Sequence, residues 1–189
     1  MTKIFDPQIL NPIITGIVEE LITTKGNIAA SKPFEVATKL IDEYEERMLV
    51  KATDKFDVAV YIAAISLYLT PAEKQAHKAK GSVVLYMDIE VADKMFKAAG
   101  LQVPYDEDDE SMMGLCGNLC QLIVDALKER LSAAGYPSLE LSVPEIHKNT
   151  ISEGVEFSKD QEEKQEISFY FLKHKALVID WTLAPIPRR

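Results

Sequence analysis

A stretch near the middle of the chain, SMMGLCGNLCQLIVDALKERLSAA at residues 111–134, decides how the rest is interpreted. Its apolar residues recur every three or four positions, which predicts a long amphipathic helix that Gly135 ends. Wound at about 100° per residue, the helix gathers a broad apolar face: Met112, Cys116, Leu119, Cys120, Ile123 and Leu127. The opposite stripe is small or polar: Gly114, Gly117, Asn118, Gln121 and Asp125.

Two glycines inside this helix need a reason, because each costs about 1 kcal/mol relative to alanine. Close approach of another backbone to Gly114 and Gly117 would supply one. The alternative is that both glycines lie in a frayed first turn, with Asn118 and Gln121 merely solvated. Helix physics leaves both explanations open.

A second helix is predicted near the N-terminus. Asn11 is a candidate cap, Pro12 suits the first helical position, and Gly26 lies just past the end. Between them the apolar residues recur at helical spacing: Ile13, Ile14, Ile17, Val18, Leu21 and Ile22. A short third helix is expected from about Ile89 to Ala99, with Asp88 as its cap.

Strands are expected between and after the helices, at residues 34–40, 56–69, 81–87, 138–143, 167–172 and 176–183. The last two form a hairpin across Lys173-His174-Lys175. The polar segment 70–81 is a connection. Because the strands come in runs, the order indicates an α+β fold with a mainly antiparallel sheet. The spacing does not suit regular βαβ units, so a doubly wound sheet is the less favoured alternative.

Length and composition limit the classes of protein to which the chain can belong. Its 189 residues predict one domain over residues 1–189, and 47% hydrophobic with 27% charged residues is typical of a globular protein. The net charge of −9 disfavours nucleic acid and anionic membranes as partners. The longest apolar run, Val58 to Leu69, is too short to span a membrane, and the first ten residues do not resemble a signal peptide. A cytoplasmic protein is the simplest interpretation.

Familiar catalytic and metal-binding motifs are absent from the sequence: no GxGxxG, Walker lysine loop, HExxH or GxSxG occurs. His77, His147 and His174 lie in separate segments, so neither a metal site nor a cofactor is predicted. Cys116 and Cys120 are one helical turn apart, where a disulfide would strain the helix, and buried free thiols are expected. The acidic run 106–110 lacks the spaced ligands of an EF-hand and is expected to complement the helix dipole.

The segment MGLCGNL at residues 113–119, which opens the long helix, resembles the signature region of the CheC/CheX/FliY chemotaxis phosphatases. That family carries Gly-Glu-x-x-Asn in this place. Further matches flank it in the family's order: ILNPII at residues 9–14, GSVVL at 81–85 followed by EVA at 90–92, and LELSVP at 139–144. The resemblance spans about Ile9 to Leu183. It implies a CheX-like domain in which helices pack against a long antiparallel sheet with pseudo-twofold halves.

The resemblance also implies an activity, since family members dephosphorylate the receiver-domain response regulator CheY. Their Asn positions the attacking water, and their Glu contacts a lysine of the regulator. Asn118 matches the family Asn, whereas the family Glu falls on Leu115. The first helix carries no copy of the motif, because Glu19 and Glu20 are followed three residues later by Ile22 and Thr23.

The first hypothesis is therefore a signalling protein that binds a CheY-like receiver domain through the outer stripe of the long helix and whose phosphatase activity is weak or lost. An apolar Leu115 cannot pair with a lysine, and the missing charge-assisted contact is worth about 1.5–3 kcal/mol. The residues expected to bind are Gly114, Leu115, Gly117, Gln121 and Asp125, with Asn118 placing the water if activity survives. A homodimer is expected by family analogy.

Two alternatives stay open at this point. One is an active aspartyl-phosphate phosphatase that uses Asn118 with a displaced acid, for which Glu110 and Asp125 are the candidates. The other is a structural dimerisation module without phosphate chemistry.

Overall fold

The computed structural model describes residues 7–187. Within them lie four α-helices: α1 Pro7–Val18, α2 Pro71–Gln75, α3 Ala92–Ala98 and α4 Asp109–Ala133; a π-helical segment, Glu19–Lys25, continues α1. The strands are β1 Ala30–Leu40, β2 Glu43–Tyr44, β3 Arg47–Lys51, β4 Val60–Tyr68, β5 Gly81–Asp88, β6 Glu140–Leu141, β7 Glu145–Lys148, β8 Thr150–Val155, β9 Glu163–Phe171 and β10 His174–Leu183. No helix among the described residues is both long and apolar enough to cross a membrane.

The large sheet has seven strands in the order β1-β9-β10-β5-β4-β6, with β7 also pairing to β4. A second sheet has the order β2-β3-β8. Neighbouring strands run antiparallel throughout. The predicted α+β fold with an antiparallel sheet is confirmed.

The large sheet has a pseudo-twofold arrangement of its two halves, residues 7–108 and 109–187. Each half contributes a helix, an edge strand and two central strands, and β5 and β10 pair at the centre. The edge strands cross over, because β1 pairs with β9 of the other half and β7 pairs with β4. The small sheet also contains strands of both halves, because β3 of the first half pairs with β8 of the second.

The central strands are covered on both faces. One face packs under the helices, with Tyr61 and Leu85 among its buried side chains, and the other packs under β2-β3-β8, with Ile62 and Tyr86. Every residue of β4 and β5 is buried. This burial explains why residues 56–69 form a continuous apolar run instead of the alternation of a half-exposed strand.

The N-terminal helix differs from its prediction, because α1 begins at Pro7 and places Asn11 and Pro12 inside the helix. Asn11 caps nothing. Its Oδ1 accepts a hydrogen bond of 2.7 Å from Trp181 Nε1, and its Nδ2 donates to Gln165 Oε1 at 3.3 Å. The amide therefore ties α1 to the sheet. Pro12 lacks an N–H, so it removes only one backbone bond near the start of the helix.

Two further boundaries shift for local reasons. The hairpin of β9 and β10 is confirmed, but its turn is Leu172–Lys173, where φ is +54° and +62°, and His174 already belongs to β10. Two successive positive φ values give the tight turn that matches the twist of paired strands. Asp88 ends β5 and does not cap α3, which begins at Ala92.

The connection predicted at residues 70–81 contains the short helix α2, which Thr70 caps by accepting a hydrogen bond from the backbone N–H of Glu73. Strands β2, β3, β7 and β8 were not predicted. They are short and largely polar, so their sequences carry little strand signal, and pairing with other strands defines them.

Candidate functional site

Helix α4 lies across β4 and β5 with its apolar face buried, as predicted. Its N-terminal cap is Asp108, whose Oδ1 accepts a hydrogen bond of 2.9 Å from the backbone N–H of Ser111. This bond lowers the pKa of Asp108, so the acidic run does stabilise the start of the helix. The helix is regular from Asp109, and neither Gly114 nor Gly117 lies in a frayed turn.

The two cysteines of α4 are free thiols buried under the helix, as predicted. Burial raises the pKa of Cys120 to about 12 and raises the pKa of Cys116 well above its ordinary value. Both groups therefore stay protonated and unreactive at neutral pH.

Asn118 lies on the outer face of α4, exposed to solvent as predicted. No described residue forms a hydrogen bond with its side-chain amide. An amide in this state can bind water or a partner without first breaking a contact within the protein. Its neighbour one turn before, Leu115, is half-buried and packs against the core.

Gly117 is buried, although the helical wheel placed it on the outer stripe. A Cβ atom at this position would lie 2.8 Å from Ile146 Cγ2 and 3.5 Å from Pro144 Cβ. Close approach therefore explains this glycine, and the approaching atoms belong to side chains of β7 and the residue before it. Gly114 has no such neighbour, since a Cβ there would meet nothing within 4 Å among the described residues.

Several exposed apolar side chains lie on α4 and on the segment that approaches Gly117, the residue before Asn118. Leu122, one turn later, is 39% exposed, and Ile146 of β7 has the same exposure. Val143, beside Pro144, is 79% exposed. We call these four residues, Asn118, Leu122, Val143 and Ile146, the Asn118 surface. It presents one unpartnered amide among apolar groups, which is the composition of an interface centre rather than of a solvated face.

Polar contacts fix the two ends of this surface. At the start of α4, Asp109 accepts hydrogen bonds of 2.8 Å from Lys148 Nζ and from the Tyr61 hydroxyl. The bond from Lys148, followed by that from Tyr61, lowers the pKa of Asp109. Further along the helix, Gln121 Nε2 donates to Asp125 Oδ1 at 2.9 Å. The contribution of β7 to this surface was not predicted from the sequence, because its four residues are too few to show a strand pattern.

Neither candidate for a displaced acid comes near Asn118 along the helix. Glu110 and Asp125 lie eight and seven residues from Asn118 in sequence, hence about 12 Å and 10 Å from it along the helix axis. An acid in the Leu115 position would be one turn away, at about 4.5 Å along the axis. The structure thus brings Asn118 together with apolar neighbours and keeps these two carboxylates apart from it.

The three histidines do not meet one another, but two of them meet carboxylates. His77 Nδ1 lies 2.8 Å from Glu156 Oε1. His174 Nδ1 lies 3.2 Å from Asp88 Oδ2 and 3.7 Å from Glu90 Oε2. The second cluster could not be predicted from the sequence, because His174 is far along the chain from Asp88 and Glu90 and the pairing of β5 with β10 brings it to them.

Comparison of the sequence with models of protein families and with curated proteins found no match. Solved structures do resemble the chain. A CheC-like superfamily protein from Shewanella sp. PV-4 is 15% identical with a TM-score of 0.58, and the match covers 94% of this chain and 97% of that one. A chemotaxis protein CheX from Desulfovibrio desulfuricans is 13% identical with a TM-score of 0.56, covering 93% and 99%.

A third similar structure, FliY from Thermotoga maritima, is 13% identical with a TM-score of 0.52, covering 95% of this chain and 91% of that one. At such low identity the likeness concerns the fold. It extends over nearly the full length of each protein, and the Desulfovibrio neighbour is named as a chemotaxis protein.

Proposed function

We propose that this chain, which has the fold of the CheC/CheX/FliY chemotaxis proteins, binds a CheY-like receiver domain through the outer face of α4. The observation that supports the proposal most directly is the exposed, unpartnered amide of Asn118 at the position where the sequence resemblance puts the family Asn. A cytoplasmic location belongs to the same proposal.

The Asn118 surface suits such a partner physically. Its apolar members, Leu122, Val143 and Ile146, would leave water on contact, and burial of that area would drive association. The amide would then lie in a water-poor interface, where its hydrogen bonds are stronger and more directional. Gln121 and Asp125, joined to each other, would form part of the polar rim.

Phosphatase activity is proposed to be weak or lost. Asn118 can still orient a water, and positioning contributes strongly to phosphoryl transfer. The group that would contact the partner's lysine is absent, however, since Leu115 packs against the core and the nearest acids on α4 lie about two turns from Asn118. We estimate the missing contact at about 1.5–3 kcal/mol, or about ten- to a hundredfold in rate or affinity.

A homodimer through the edge strand β1 completes the proposal. Among the described residues β1 pairs only with β9, and its other edge is open. Its exposed apolar side chains are Phe34, Val36 and Leu40. Such an edge favours pairing with another strand. A sedimentation measurement that gives the mass of a monomer at micromolar concentration would refute this part.

Incubation of the purified chain with a phosphorylated receiver domain from its own organism tests the proposal, with binding and phosphate release both followed. We expect binding with slow release. Leu115→Glu should accelerate release by about ten- to a hundredfold, because it restores the acid one turn from Asn118. Leu115→Gln, of the same size and uncharged, should not. Asn118→Ala should abolish whatever release remains.

The matched control for Asn118→Ala is Gln102→Ala, which removes an exposed amide from the loop before α4 and should change nothing. Thermal unfolding of each Leu115 variant checks that the helix still packs. Absence of binding by every folded variant would refute the receiver-domain proposal. Rapid wild-type turnover that depends on Asn118 would instead identify an active phosphatase.

A further inference from the structure

A cluster of three metal-binding side chains lies at one end of the two central strands. Asp88 is the last residue of β5, Glu90 follows in the turn after it, and His174 is the first residue of β10. The antiparallel pairing of β5 with β10 brings these ends together, since Met87 lies opposite Leu177. The cluster belongs to the sheet and is separate from the Asn118 surface on α4.

The three side chains each offer one potential ligand atom, and these atoms lie within 4.8 Å of one another. His174 Nδ1 lies 3.2 Å from Asp88 Oδ2 and 3.7 Å from Glu90 Oε2. Zinc–ligand bonds of about 2.0–2.1 Å at tetrahedral angles place two ligand atoms about 3.3–3.4 Å apart. The two separations from His174 are thus close to this value, and the third pair of atoms lies within 4.8 Å, so modest side-chain movements would bring all three atoms onto one cation.

The Asp88 carboxylate is held in an orientation that suits metal binding. Its side chain is only 5% exposed, and Oδ1 accepts a hydrogen bond of 2.8 Å from the backbone N–H of Glu90. Oδ2 is thereby directed at the imidazole. A hydrogen bond that orients a ligating carboxylate is typical of metal sites. Glu90 and His174 are partly exposed, which leaves a path for an ion and a position for a bound water.

An ordinary ion pair accounts for only part of this arrangement. The contact of His174 with Asp88 is within hydrogen-bonding distance, but the 3.7 Å to Glu90 is too long for a hydrogen bond. Two carboxylates face one imidazole nitrogen, and a divalent cation would satisfy all three groups together.

We propose that Asp88, Glu90 and His174 bind a divalent transition-metal ion, with zinc as the best fit, through three protein ligands and one open position. A mixed nitrogen and oxygen ligand set suits zinc and its first-row neighbours, whereas calcium and magnesium prefer oxygen ligands alone and higher coordination numbers. This site was not predicted from the sequence, because no local pattern indicates that residues 88–90 and His174 converge.

Titration of the metal-free chain with Zn²⁺ by calorimetry, and with Co²⁺ by visible absorption, tests this proposal. We expect one strong site per chain and the absorption of tetrahedral Co²⁺. His174→Ala and Glu90→Gln should each weaken Zn²⁺ binding by more than about tenfold, since each removes a ligand. Zn²⁺ should raise the unfolding temperature of the wild type and leave that of His174→Ala unchanged.

His77→Ala is the matched control, because His77 also contacts a carboxylate, that of Glu156, but belongs to no three-ligand group within residues 7–187. It should bind Zn²⁺ like the wild type. Both His174 and Glu90 are partly exposed, so their variants are expected to fold, and far-ultraviolet circular dichroism verifies this. Binding that is unaffected in His174→Ala and Glu90→Gln would reveal an adventitious ion only, and no binding to the wild type would also overturn the proposal.

Discussion

The helices of the two pseudo-symmetric halves occupy corresponding places on the sheet and differ in what they leave free. In the first half, Asn11 of α1 is held by Trp181 and Gln165, and Glu20 of the π-helical segment pairs with Arg130 and Lys25. In the second half, the side chain of Asn118 of α4 has no hydrogen-bond partner among the described residues. The comparison shows that an amide of α1 is used for contacts within the protein, whereas the amide of Asn118 on α4 stays exposed.

The halves also differ in the charges that they contribute to the sheet face under β2-β3-β8. The first half supplies Lys55, which follows β3 and contacts Glu166 and Asp180 of the second half, the latter at 3.2 Å. Lys164 joins the same Asp180 carboxylate at 2.9 Å. The side chain of Lys55 is 5% exposed and that of Asp180 is fully buried. A buried ionic contact thus joins the two halves.

Removal of this ionic contact between the halves should cause the largest loss of stability. Lys55→Met keeps most of the aliphatic stem, but it removes the cation that pairs with Glu166 and leaves Asp180 with Lys164 alone. We expect the free energy of unfolding to fall by about 3–5 kcal/mol, because a buried carboxylate loses its counterion. Urea denaturation measures this loss. Lys51→Met, at the exposed end of β3, is the control and should change stability by less than about 0.5 kcal/mol.

A smaller effect should appear in the pH dependence of stability. Burial disfavours the charged form of Glu166, but the hydrogen bond and charge of Lys55 outweigh it, and the pKa of Glu166 is lowered overall. The resulting stability is present above the ordinary pKa of 4.5 and is lost as the pH falls through the lower pKa of the folded state.

The measurement is the unfolding free energy of the wild type and of Glu166→Gln from neutral pH down to about pH 3. Glu166→Gln should be less stable at neutral pH and should lose less on acidification. Asp108 and Asp109, whose pKa values are also lowered, keep some acid sensitivity in both proteins. If the unfolding free energies of the two proteins fell in parallel as the pH is lowered, Glu166 would not be the source of this pH dependence.

The smallest effects should separate the two glycines of α4. Gly117→Ala puts a methyl group against Ile146 and should cost about 1–2 kcal/mol, because overpacking outweighs the gain in helix propensity. Gly114→Ala meets no neighbour and should stabilise the protein by up to about 1 kcal/mol. Thermal unfolding of the two variants and the wild type measures these changes in stability. Equal shifts in both variants would show that β7 does not press on α4.

Local patterns in the sequence were sufficient for much of the fold. The apolar face of α4, the exposure of Asn118 and the β9–β10 hairpin all follow from periodicities that act within one element. The resemblance over residues 113–119 added the fold family. The extent of the domain and the binding roles of Gly114, Leu115, Gly117, Gln121 and Asp125 stay predictions.

The sequence by itself determined which residues of α4 face the core, because a helix repeats its geometry every turn whatever surrounds it. Only the tertiary structure decided that β7 covers Gly117, that Asn11 bonds Trp181 instead of capping a helix, and that Asp88, Glu90 and His174 converge. These contacts join residues that are distant along the chain. Their formation depends on strand order and register, which no local pattern encodes.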